Sequence, residues 1–152
     1  MTKPSYVYVT YIVTTPQKVW NAITDETLSA RYWQRANVSD WQVGSTWAHK
    51  FPDKPADLVG EVLEVDPPRR LVLSWAYPSQ AHDPQKVSCV AFDIEELGEK
   101  VRLTVSHTGL DDSNLLDISE GWPAVLSNLK TLLETGQTIP DAFSGIHRKP
   151  KG

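Results

Sequence analysis

Large apolar residues recur along residues 117–136, DISEGWPAVLSNLKTLLETG, at Trp122, Val125, Leu126, Leu129, Leu132 and Leu133. This is the i, i+3, i+4, i+7, i+10, i+11 spacing of one helix face. Asp117 or Ser119 is placed to cap the start, Pro123 is tolerable in a first turn, and Gly136 stands where a left-handed C-terminal cap belongs. The pattern predicts a helix of about 18 residues, roughly 27 Å long. No other stretch promises a comparable helix.

Most of what precedes it alternates with a period of two. Residues 5–13, SYVYVTYIV, are aromatic and β-branched and read as a first strand. Thr15-Pro16 opens a short helix with Val19, Trp20 and Ile23 inward, and Thr24 or Asp25 opens a second containing Leu28, Tyr32 and Trp33. A short strand is expected over 38–41. In 45–51, STWAHKF, Trp47, His49 and Phe51 share one parity. Strands follow over 58–65 and over 70–77, where Leu71, Leu73, Trp75 and Tyr77 align. The strand over 86–95 turns Val90, Phe92 and Ile94 inward and Cys89 outward. After a hairpin turn at Leu97-Gly98-Glu99, the strand over 100–108 aligns Val101, Leu103, Val105 and His107. Residues 109–116 read as a loop. The expected class is α+β: a curved antiparallel sheet around a long C-terminal helix, with two short helices after the first strand. One domain over 1–136 and an irregular tail over 137–152 are expected.

Composition narrows the partners. The chain has 152 residues and a formal net charge of −4, and it carries no long basic stripe of the kind that binds nucleic acid. The second short helix carries a single basic residue, Arg31, which argues against a DNA-reading helix-turn-helix. The one basic cluster, 147–151, falls in the tail. The only cysteine, Cys89, rules out an intrachain disulfide and fits a reducing cytosol. No secretory h-region and no apolar run long enough to span a bilayer is present, so a soluble cytoplasmic protein is expected, with no membrane insertion. Six tryptophans are present, each able to bury roughly 150–250 Å², more than so small a core needs.

Four segments, YIVTTPQKVWNAITDET, DWQVGSTW, GEVLEVDPPRRLVLSW and EGWPAVLSNLKTLLETG, resemble the Hsp90-ATPase-activator-like branch of the START-like superfamily over roughly residues 5 to 136. The resemblance implies the helix-grip fold, with a cavity between sheet and helix that often takes lipids, polyketides or other apolar molecules. It implies function only loosely, because fold does not fix chemistry. The co-chaperone that names the branch engages its chaperone through a further N-terminal domain. No such segment is expected before Ser5, so Hsp90 activation is not carried over.

His49 and His107 lie at the parity of large apolar residues, so each is either a neutral, hydrogen-bonded wall residue or a polar handle for a ligand. Trp33, Trp47, Trp75, Tyr77 and Trp122, with Phe51, Phe92 and Leu126, are the candidates for an aromatic and apolar pocket lining. The same side chains also serve as ordinary core. Trp20 and Trp41 read as structural. No HxH, CxxC or HExxH spacing supports a metal site, and no glycine motif supports a nucleotide cofactor. Ser106 and His107 are adjacent in a strand and face opposite sides, so they form no nucleophile–base pair. The expected function is non-enzymatic binding or carriage of a small apolar or aromatic molecule. A cyclase-like enzyme using one histidine and a shaped pocket is the first alternative, and a chaperone-interacting module the second.

Overall fold

The computed structural model describes residues 5–143; the basic cluster at 147–151 lies outside them. Seven strands form one sheet: β1 (Tyr6–Ile12), β2 (Ala36–Val38), β3 (Thr46–Lys50), β4 (Leu58–Asp66), β5 (Arg70–Trp75), β6 (Ser88–Leu97) and β7 (Lys100–Thr108). Every pairing is antiparallel and the order is β1-β7-β6-β5-β4-β3-β2. Helices α1 (Pro16–Thr24) and α2 (Glu26–Trp33) follow β1, and α3 (Asp112–Thr135) closes the chain. The curved sheet and the long helix make the expected helix-grip arrangement.

Local chemistry accounts for the short helices. The Thr15 hydroxyl accepts from the Lys18 amide at 3.3 Å, Pro16 fills the first turn, and the Asp25 carboxylate accepts from the Leu28 amide at 2.9 Å. The Tyr32 hydroxyl donates to the Ala22 carbonyl at 2.9 Å, tying α2 to α1. Asn128 of α3 is buried; its amide donates to the Tyr32 carbonyl and its oxygen accepts from the Ile139 amide. The same helix therefore fastens α2 on one side and Ile139 on the other.

Two boundaries differ most from the sequence pattern. The second strand is Ala36–Val38 rather than 38–41. The Ser39 hydroxyl accepts from the Trp41 amide and donates to the Thr46 carbonyl, so the chain turns there, and Trp41 enters the left-handed region at φ 58°. The Trp41 indole then donates to the Thr24 carbonyl at 2.9 Å, the structural role expected of it. The long helix starts at Asp112, not near Asp117, and has 24 residues, or about 36 Å. Pro123 consequently lies inside the helix and not in its first turn. Gly136 does cap the C-terminus, at φ 80°.

The core lies between the concave face of the sheet and α1, α2 and α3. It contains Ile12, Val19, Ile23, Leu71, Val90, Ile94, Leu103 and Val105 with Val125, Leu126, Leu129 and Leu132 of α3. The C-terminal part of α3 also reaches the edge of the sheet. The Lys130 ammonium donates to the Tyr11 carbonyl at 2.6 Å, and the Glu134 carboxylate accepts from the Val13 amide at 2.8 Å. Lys130 and Glu134 are themselves paired at 2.6 Å.

Candidate functional site

Seven of the ten expected site residues meet in one aromatic cluster. Trp33 ends α2, Trp47 and His49 come from β3, Trp75 ends β5, Phe92 and His107 come from β6 and β7, and Trp122 comes from α3. Ring centroids lie at 4.6 Å for Trp33–His49, 5.2 Å for Trp75–His107, 5.3 Å for Trp47–Trp75, 5.4 Å for Trp33–Trp122 and 5.6 Å for Trp75–Trp122. Mixed tilted and edge-on contacts at these distances are the favourable aromatic geometries. Leu126 is buried in the core on the following turn of α3.

Phe51 and Tyr77 stand apart. β3 ends at Lys50, and the Phe51 ring sits 4.4 Å from the Arg35 guanidinium and 5.5 Å from the Lys54 ammonium. Arg35 is in turn paired with Asp57. Tyr77 follows the end of β5 and is 41% exposed. Both residues lie beyond a strand end, where alternation no longer assigns a face.

The two histidines are wired into the wall. His107 is fully buried. The Trp122 indole N–H donates to its Nδ1 at 3.1 Å, and its Nε2 lies 2.8 Å from the Ser88 hydroxyl. An indole nitrogen only donates, so Nδ1 is the unprotonated nitrogen and Nε2 carries the hydrogen. His107 therefore donates to Ser88, whose own hydroxyl donates to the Trp75 carbonyl at 3.2 Å. Burial pushes the His107 pKa down to about 3, as expected where a charge would lose its solvation. His49 is also buried, and its Nδ1 lies 2.7 Å from the Asn37 side-chain oxygen. Asn37 donates to the Ile23 carbonyl, so its oxygen faces His49 and the hydrogen rests on His49 Nδ1.

Ser88 and Asn37 escaped the sequence reading. Ser88 shares the parity of Val90, Phe92 and Ile94, and a serine on that row was the available signal. Asn37 gave none, because its strand was expected to begin one residue later. The Ser88–His107 contact is not an activated nucleophile. A base must take the serine proton, and here the nitrogen facing the hydroxyl already holds one. Gly60 makes room for the far side of the cluster: a Cβ there would lie 1.9 Å from the Ser74 carbonyl oxygen. That close approach lets the Trp47 indole donate to the same carbonyl at 2.7 Å.

Beside the cluster, under the first turns of α3, lies a pocket of about 40 Å³. Trp75, Leu110 and Ile118 give it an apolar side, and Ser88, Asn114 and Asp117 a polar one; Tyr77 also lines it. At this size it holds about one or two waters. Trp75 belongs to both pocket and cluster, and Ser88 of the pocket is bonded to His107 of the cluster. Within residues 112–121 of α3, Ile118 alone among the described side chains joins the core cluster, and Leu116 is 63% exposed. Gly121 and Pro123 follow, and interior Gly and Pro disfavour helix by about 1 and 3 kcal/mol relative to Ala.

A second hollow, of about 460 Å³ and widely open, lies on the opposite face of the sheet among Leu63, Pro84, Val87 and Cys89. Cys89 thus points away from the interior, as its parity predicts, and burial pushes its thiol pKa up. Among the described residues, no group of three or more His, Cys, Asp or Glu side chains is placed to hold a metal ion. No described helix is long and apolar enough to cross a membrane.

The family described as activator of Hsp90 ATPase homolog 1-like protein matches residues 13–134. No curated protein sequence matches the chain. Solved structures share the fold. A crystal structure of CalU16 from Micromonospora echinospora is 24% identical, with TM-score 0.71 over 87% of this chain and 77% of that one. PFC0360w, an Hsp90 activator from Plasmodium falciparum, is 20% identical, with TM-score 0.71 over 85% and 95%. DynU16, from the dynemicin biosynthetic locus, is 22% identical, with TM-score 0.72 over 88% of this chain and 48% of that one.

Proposed function

This chain belongs to the activator of Hsp90 ATPase homolog 1-like family, and on that premise we propose that it binds a small apolar or aromatic molecule between the sheet and the first half of α3. The observation that carries the reading is that Trp75 lines the pocket and belongs to the aromatic cluster, while Ser88 of the pocket is bonded to His107 of the cluster. A flat apolar body would lie against Trp75, Leu110 and Ile118, and a polar group would meet Ser88, Asn114 and Asp117. Apolar walls with a few convergent polar groups are the usual make-up of a small-molecule site. The space must widen to take such a molecule, and residues 114–121, of which Ile118 alone joins the core cluster, are the part of the wall that can yield.

Binding without turnover is the favoured form of this reading. His107 has both ring nitrogens engaged and is a weak base at neutral pH, so it does not serve as the general base of a cyclase. The Plasmodium relative's description concerns that protein; at 20% identity it supports the fold and not a chaperone partner here. In the same reading the protein works in the cytoplasm, its one cysteine left reduced.

Native mass spectrometry of protein purified without denaturation tests the proposal. A one-to-one adduct of a small organic molecule, released on unfolding, is the expected result. Absence of any adduct, together with no heat of binding to a panel of aromatic and polyketide-like compounds, would overturn it.

A further inference from the structure

We propose that Trp122 is an exchangeable occupant of the aromatic site, displaced by bending of α3 at Gly121–Pro123, and that the displacing molecule is a planar aromatic carrying one hydrogen-bond donor. This rests on the ligand-binding reading above and adds to it which molecules bind and what they push aside.

The indole of Trp122 occupies the centre of the cluster. Its neighbours are Trp33 at 5.4 Å, Trp75 at 5.6 Å, Phe92 at 5.9 Å and His107 at 6.2 Å between ring centroids. It makes one polar contact, the N–H to His107 Nδ1 at 3.1 Å. A slot faced by four rings, with a single acceptor, defines its complement: a flat aromatic with one donor. Trp122 meets that description, and so would a naphthol, a phenol or an indole.

The acceptor makes the donor obligatory. The Nε2 hydrogen of His107 is directed at Ser88, and the Ser88 hydrogen at the Trp75 carbonyl. In this arrangement of donors Nδ1 is an acceptor. A buried acceptor left without a partner is costly, so an incoming ring that lacks a donor should bind at least about tenfold more weakly.

The backbone around Trp122 supplies the joint. Pro123 has no N–H for the Ser119 carbonyl, and its ring crowds that turn. Gly121, on the other side of Trp122, meets no atom within 4 Å of where a Cβ would stand, so its lack of a side chain is not forced by packing. C-terminal to the joint, Val125, Leu126, Leu129 and Leu132 are buried and anchor the helix. N-terminal to it, Ile118 is the single described contribution to the core cluster. The small pocket already lies beneath that weaker half, against Trp75 and Ser88.

The test uses the full chain labelled with nitrogen-15, its indole resonances assigned through the backbone, and titrated with 2-naphthol and, separately, 2-fluoronaphthalene. Expected for 2-naphthol are one-to-one binding, a large shift of the Trp122 indole N–H and faster hydrogen exchange at that site. The indole signals of Trp41 and Trp47, held by the Thr24 and Ser74 carbonyls, should keep their exchange rates. The fluoro compound should bind at least about tenfold more weakly. Pro123→Ala, which straightens the joint, should weaken 2-naphthol binding several-fold while raising Tm. Binding that leaves the Trp122 signal in place, or equal affinity for the two compounds, would overturn this inference and leave the ligand-binding reading standing. Failure of both compounds to bind would overturn this inference, and the ligand reading falls with it if native mass spectrometry also finds no adduct.

Discussion

Buried at the end of β7, His107 carries a consequence for stability as well as for recognition. Its pKa is about 3 in the folded protein against 6.5 for an unperturbed histidine. Between those values the unfolded chain binds a proton that the native one refuses, so stability falls as pH drops through that window and is complete above it. At pH 4.5 the loss from this group should be about 2–3 kcal/mol relative to pH 7. Urea unfolding of the wild type and His107→Gln at both pH values checks this: the wild type should lose more stability on acidification, whatever their difference at pH 7. An equal loss would show that His107 is not held neutral. That this residue faces inward was legible from alternation along 100–108. Its tautomer was not, because it is set by Trp122 and Ser88, which lie 15 and 19 residues away. Phe51 and Tyr77 show where alternation stops: each was assigned a face beyond the last paired residue of its strand.

Among the elements, α3 behaves as two pieces joined at Gly121–Pro123. The apolar spacing from Trp122 onward announced the second piece plainly. The first was hidden, because Asp112, Ser113 and Asn114 are poor helix formers and Pro123 is a more usual start signal than an interior residue. The packing that supports each piece predicts its dynamics. Amide hydrogens of residues 113–121 should exchange well ahead of those of 126–135 when followed by mass spectrometry, because local opening is cheapest where few apolar contacts must break. Uniform protection along the helix would refute a joint. The short helices were readable for the opposite reason: Thr15-Pro16 and Asp25 are local signals whose partners lie three residues away.

At the scale of the molecule, the pairing of β1 with β7 is set by no short turn, but the meander of β2 to β7 and the cover of α3 followed from short turns and one apolar helix face. The filling of the space between them did not. Alternation placed Trp47 and Trp75, and their positions on helices placed Trp33 and Trp122, around a presumed gap, yet their rings touch one another. Whether large residues line a void or close it depends on volumes in three dimensions, and these are not written in alternation. The ends of the sheet are likewise a property of the whole. β1 is one edge strand, and its outward row of Val7, Val9 and Tyr11, continued by Val13, is exposed. Lys130 and Glu134 meet the backbone of that edge at Tyr11 and Val13. Replacing both with Ala should change Tm little, since exposed ion pairs contribute at most about 1 kcal/mol. The same change should raise light scattering on mild heating, because an uncovered apolar edge is a template for another strand. Unchanged scattering would show that the cover is dispensable. A β-sheet has no intrinsic last strand. On this side of the molecule, if scattering rises as expected, two side chains of a helix are what stops hydrogen bonding within one copy from propagating to the next.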